Sequence, residues 1–151
     1  MATDLLKFLD KSDIPSLLPT GTSSSYWADS AMLWDAVVEY GHMTGDDAHR
    51  QRASDALLAQ SGDGNNFMPK NQTASAGNDD VGAWALAAML AAERGVPNVK
   101  DKPRWIDLAR NTFQVLNARY IEDSKNDTCA AGGLRWTPLA VNVGFDYKSS
   151  E

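Results

Sequence analysis

Two adjacent carboxylates, Asp79 and Asp80, are the residues whose types and spacing best fit a reaction. They follow sixteen residues of turn-forming chemistry, 61–76, and open an alanine-rich stretch. A retaining glycosidase needs two carboxyl groups about 5–5.5 Å apart, one as nucleophile and one as acid/base. Neighbouring Cα atoms lie about 3.8 Å apart, so diverging side chains can reach that separation. A helix N-terminus would keep one carboxylate ionised, and repulsion between the neighbours favours a proton on the other. The same residues also read as a helix cap, with Asn78 or Asp79 satisfying free N–H groups and the negative charges opposing the helix dipole.

Five tryptophans accompany the pair. Trp27, Trp34, Trp84 and Trp105 fall at helical spacing and read as core. Trp136 stands in a glycine-rich loop beside Arg135, a setting suited to stacking on a sugar face. Tyr26 and Trp27, at a helix start, are candidates for lining the same groove. Two sequons, Asn71-Gln72-Thr73 and Asn126-Asp127-Thr128, lie in polar loops where a glycan acceptor must be. No phosphate-binding loop, dinucleotide fingerprint or nucleophile-elbow motif occurs. His42 and His49 sit seven apart with no cysteine near them, and Cys129 is the single cysteine. No zinc set, internal disulfide or cofactor is therefore expected.

The elements that must position these groups are helical. Trp27, Ala31, Trp34 and Val38 are spaced 4, 3 and 4, which is one face of a helix over Tyr26–Met43. Ser25 is a fitting N-cap and Gly45 a fitting stop. Asp46 offers a cap for a second helix, Asp47–Gln60, with Ala53, Ala56 and Leu57 inward. Phe67 and Met68 would pin the long loop to the body. The stretch from Asp79 to Glu93 is small-sided and apolar all round, which predicts a helix buried among several neighbours and ended by Gly95 and Pro97. A further helix opens near Pro103, with Trp105, Leu108, Ala109, Thr112, Phe113 and Leu116 on its apolar face. Thr3–Leu9 adds a short one, and no strand shows a period of two.

Composition narrows the partners. The net charge is −6, and the basic residues of the second half are scattered, so no stripe tracks a phosphate backbone. Nucleic acid and anionic membranes are not expected as partners of such a chain. The hydrophobic fraction of 43% exceeds that of disordered chains. The longest nearly unbroken apolar run, 81–92, falls short of a membrane span, and the start has no signal-peptide pattern.

Six ordered blocks resemble one family. Tyr26 to Met32 resembles its Trp-Trp-Glu-Ala-Gly-Ala-Met helix, and Tyr40 to Asp46 its Tyr…Thr-Gly-Asp hairpin. Asn66 to Thr73 resembles Asp-Tyr-Met-Pro-Pro-Asn-Gln-Thr. Gly77 to Asp80, followed by Ala83-Trp84, resembles Gly-Asn-Asp-Asp-Gln-Ala-Phe-Trp. Cys129 to Trp136 resembles Cys-Gly-Gly-Gly-Leu-Arg-Trp, and Gly144 to Ser149 resembles Gly-Tyr-Asp-Tyr-Lys-Asn. These blocks are similar to those of glycoside hydrolase family 76, the endo-α-1,6-mannanases.

The resemblance implies an all-α (α/α)6 barrel, of which residues 1–151 would supply about the first five helices as a partial domain. It implies retaining cleavage of α-1,6-linked mannan or a mannoprotein glycan, or transglycosylation at the cell wall. Asp79 would be the nucleophile and Asp80 the acid/base. Trp27, Asn78, Arg135, Trp136, Asp146, Tyr147 and Lys148 would contact substrate, with Asn71 and Asn126 glycosylated. A family cysteine beyond the last block would be the partner of Cys129. The parent proteins are extracellular or cell-wall anchored, so the absent signal peptide reads as a truncated start. Apolar helix faces meant for absent neighbours predict self-association. Val81 replaces the family glutamine and Ala130-Ala131 alter the glycine loop, which leaves a non-catalytic carbohydrate-binding relative, or an inactive fragment, as the alternative.

Overall fold

The computed structural model describes residues 2–14, 16–19, 27–72, 76–120, 133–136 and 147–148. Its helices are α1 (Ala2–Leu9), α2 (Trp27–Thr44), α3 (Arg50–Ala59), α4 (Asn78–Glu93) and α5 (Trp105–Asn117). Two short strands, β1 (Leu134–Arg135) and β2 (Tyr147–Lys148), pair antiparallel, with Leu134 opposite Lys148 and Arg135 opposite Tyr147. The all-α expectation holds. Strands of two residues leave no period in a sequence, which is why this pairing went unpredicted.

Helix α4 is the hub, packed most extensively against α5 and α2 and more lightly against α3. Its composition explains the position. Val81, Trp84, Ala87, Ala88 and Ala91 are all at most 1% exposed. Methyl side chains let helices approach from both sides, and the one large ring of the helix, Trp84, fills the space between them. Trp84 lies between Trp27, with ring centroids 5.5 Å apart, and Phe67, at 5.9 Å. Among the described residues its Nε1 has no hydrogen-bond partner. Helix α2 buries the expected stripe of Trp27, Ala31, Trp34 and Val38. A polar chain ties it to its surroundings. The Trp34 indole N–H donates to the Ser16 carbonyl (2.8 Å), Gln60 Nε2 donates to Ser16 Oγ (2.7 Å), and the Trp27 indole N–H donates to Gln60 Oε1 (2.8 Å).

Two boundaries and one buried face differ from expectation. Helix α3 starts at Arg50 rather than Asp47. Asp46 Oδ1 accepts the Ala48 N–H (3.0 Å), so its capping capacity serves a turn before the helix. On α5, Trp105, Leu108, Ala109 and Thr112 are buried, but Phe113 is 65% exposed. At the start of α4 the N-cap residue is Gly77, not Asn78 or Asp79. Leu86, Met89 and Met32 also present apolar surface to solvent. Among the described residues, no helix is long and apolar enough to cross a membrane.

The loop before α4 is pinned as expected. Phe67 is fully buried, and its N–H donates to Thr112 Oγ1 (3.0 Å). The Thr112 hydroxyl donates in turn to the Leu108 carbonyl (2.8 Å). Asn111 Nδ2 donates to the Asn65 carbonyl (3.0 Å), a second tie between the loop and α5. The long polar segment is thereby carried across α5 and delivered to the first turn of α4.

Candidate active site

The first turn of α4 carries both aspartates, and the two have different surroundings. Asp80, at the third helical position, is half-buried and reaches back to the chain. Its Oδ2 accepts the Gly77 N–H (2.6 Å), and its Oδ1 accepts the Ala28 N–H at the start of α2 (3.3 Å). The first bond is the return half of a capping box. The second joins two helix N-termini through one carboxylate. Asp79 is exposed. Its Oδ1 accepts the Asp80 N–H (3.1 Å) and the indole N–H of Trp136 (3.0 Å). One carboxylate therefore anchors backbone while the other faces solvent beside an aromatic ring. That division gives adjacent, chemically identical residues two different tasks.

Trp136 follows β1 directly and is 40% exposed. It meets α4 twice, because its carbonyl also accepts the Asn78 N–H (2.6 Å). Gly77 makes this approach possible. A Cβ there would overlap Asp79 Oδ1 and stand 2.5 Å from Trp136 Nε1. Asn78 is buried, at 4% exposure, and its Oδ1 accepts a hydrogen bond from Arg119 Nη1 (2.7 Å). Arg119 lies just past α5 and also approaches Met68 Sδ (3.7 Å). Burial draws its guanidinium below the usual range. Arg119 forms no ion pair among the described residues.

The structure thus brings Asp79, Asp80, Asn78 and Trp136 together. The backbone of β1 and β2 sets Arg135 opposite Tyr147 and Leu134 opposite Lys148, so the last two family blocks adjoin, and Trp136 at the end of β1 carries them to Asp79. Trp27 is placed differently from the groove expectation. At 9% exposure, with its N–H held by Gln60 and its ring against Trp84, it belongs to the core beneath the site. The periodicity that set Trp27 on the buried stripe was the better guide. Asn78 likewise acts through Arg119 and the Trp136 carbonyl as part of the frame. Asn71 is exposed, as an acceptor must be. Asp146, Asn126, Tyr26 and Cys129 lie outside the described residues. Arg119 was missed by sequence reasoning; a lone arginine at a helix end gives no local sign of its distant partner. Among the described residues no cluster of His, Cys, Asp or Glu is arranged to hold a metal ion.

The model for glycosyl hydrolase family 76 matches residues 1–151. The chain belongs to glycosyl hydrolase family 76. It is 39% identical over 126 residues to the mannan endo-1,6-alpha-mannosidase DCW1 of Candida albicans, covering 83% of this chain and 27% of that protein. It is 31% identical over 151 residues to DCW1 of Eremothecium gossypii, covering 99% of this chain and 32% of the relative. Among solved structures, it superposes on Dfg5 from Chaetomium thermophilum in complex with glucosamine with a TM-score of 0.77 at 35% identity. That match covers 90% of this chain and 34% of the other. The chain therefore spans about a third or less of the family 76 proteins it matches, and its helices form part of their all-α toroid.

Proposed function

We propose that the protein carrying this chain cleaves α-1,6-linked mannan with retention of configuration, using Asp79 and Asp80. The observation that carries the reading is the unequal pair at the start of α4, one carboxylate exposed against Trp136 and one tied to backbone N–H groups. In the first step Asp79 attacks the anomeric carbon. The bond from that carbon to the leaving oxygen breaks, and Asp80 gives that oxygen its proton. In the second step Asp80 takes a proton from water, or from the hydroxyl of an acceptor sugar. The incoming oxygen attacks the anomeric carbon and the ester to Asp79 breaks. Water gives hydrolysis, and an acceptor gives transglycosylation. The exposed ring of Trp136 supplies a stacking surface for a sugar, and Arg135, Asp146, Tyr147 and Lys148 are the further candidates for substrate contact that the family resemblance implies. The relatives' names support mannan as substrate, and the family resemblance implies the cell wall as location.

Chemical rescue tests both the pair and its order. In the full-length protein, Asp79→Gly and Asp80→Gly should each abolish cleavage of α-1,6-mannan oligosaccharides. With an activated aryl α-mannoside and azide, Asp79→Gly should release the β-mannosyl azide and Asp80→Gly the α-mannosyl azide. The opposite pattern would reverse the roles, and undiminished turnover in either variant would remove the pair from the reaction.

A carbohydrate-binding relative without catalysis is the second reading, prompted by Val81 in place of the family glutamine. Val81 is 1% exposed, so this position faces the core and its side chain packs there. Mannan binding by calorimetry with no product formed would favour that reading.

A further inference from the structure

We propose that the indole N–H of Trp136 orients the Asp79 carboxylate for attack, a task separate from stacking on the sugar, with Gly77 as the residue that admits it. The proposal rests on the reading of Asp79 as a reacting group. Three observations meet at one point. The Trp136 Nε1–H donates to Asp79 Oδ1 at 3.0 Å. The Trp136 carbonyl accepts the Asn78 N–H at 2.6 Å, so the same residue is fixed to the helix by its backbone as well. Gly77 leaves open the space that any side chain would take from both groups, since its Cβ would stand 2.5 Å from Trp136 Nε1 and 3.0 Å from Trp136 Cδ1.

The physical consequence concerns rotation. An exposed aspartate turns freely about its side-chain bonds, and each wrong orientation is lost to the reaction. The Asp80 N–H already holds Oδ1 from below, at 3.1 Å. That bond is local to the helix turn and would be available to any aspartate at its first turn. The indole N–H adds a second donor to the same oxygen from outside the helix. Two donors on one oxygen fix the plane of the carboxylate and leave its charge in place. Hydrogen bonds to a charged acceptor are also the stronger kind. The ring that carries this donor is 40% exposed, so its face stays accessible while its edge is engaged. A phenylalanine could offer the same stacking face but could not hold the carboxylate. A larger residue at position 77 would leave the tryptophan in the sequence but push its N–H away.

The two roles separate in kinetics. In the full-length protein, with an α-1,6-linked mannohexaose as probe, Trp136→Phe should lower kcat by about 10- to 100-fold and leave KM within about a factor of three. Gly77→Ala, which retains the tryptophan, should lower kcat in the same direction. Trp136→Ala, losing donor and ring together, should also raise KM. Thermal unfolding of each variant distinguishes a displaced carboxylate from a lost fold, and Trp136→Phe should melt as a folded protein. If Trp136→Phe keeps the parent kcat while Asp79→Gly is inactive, the orienting role is overturned and the catalytic pair stands. If Asp79→Gly retains full turnover, the pair and this proposal fall together.

Discussion

At its C-terminal end the backbone of α4 closes on groups a few residues away, whereas at its N-terminal end polar groups are met by partners up to 57 residues distant. Beyond Glu93 the chain makes a Schellman motif. The Val96 N–H donates to the Ala91 carbonyl (2.9 Å), the Gly95 N–H donates to the Ala92 carbonyl (3.2 Å), and Gly95 takes a φ of +68°. Arg94 adds a two-pronged pair with Glu39 of α2, at 2.7 and 3.2 Å. At the other end Asp80 closes one bond locally, on Gly77. The Asn78 side chain waits for Arg119, and Asp79 waits for Trp136. One end satisfies its backbone from its own sequence, with the Arg94–Glu39 pair added on the surface. The other leaves polar groups to be met from elsewhere, and there the candidate chemistry sits.

The contrast can be broken deliberately. The largest effect should come from Arg119→Ala, which leaves the buried Asn78 Oδ1 without its donor. Turnover should fall roughly 10- to 100-fold, and urea unfolding should show a loss of about 1–3 kcal/mol. Arg119→Lys should restore part of kcat, because one N–H can still reach Asn78. At the opposite end, Gly95→Ala forces an alanine into a left-handed conformation. It should cost about 1–2 kcal/mol in the same unfolding measurement and leave kcat unchanged.

Smaller still is a pH effect. The hydrogen bond from Arg94 holds the Glu39 carboxyl below the usual glutamate range. Its contribution is therefore complete above the unfolded glutamate value, about 4.3, and is lost as pH falls through the lower folded value. Melting curves should show the parent losing its advantage over Glu39→Gln in that acid window, with equal stability below it. An advantage that persists in strong acid would show that the pair is not the cause.

The same contrast explains what could be read in advance. Helix α2 was expected at Tyr26–Met43 and spans Trp27–Thr44, and α4 ends at Glu93 where Gly95 and Pro97 require it. These follow from periodicity and caps, which are encoded within a few residues. The burial of Phe67 and of the alanine face of α4 was legible for the same reason. The aspartate pair was visible as a motif, and the family blocks gave it a role. Its surroundings were not visible. Nothing near Asp79 announces an indole from position 136, and nothing near Asn78 announces Arg119. Trp27 shows the limit from the other side. Its type suited a groove and its spacing suited a core, and the bond to Gln60, 33 residues away, goes with the core.

The contact between Trp136 and Asp79 also bears on the order of assembly. Helix α4 is short-range structure and can form while the chain is still emerging, since helical contacts are local and close quickly. The donor for Asp79 arrives 57 residues later, and the loop it closes forms only after that stretch has been made. A nascent chain that has completed α4 thus carries its acidic pair without the indole partner of Asp79. On the proposed reading of the pair, the reactive arrangement waits for β1 to dock and is completed only with the fold itself.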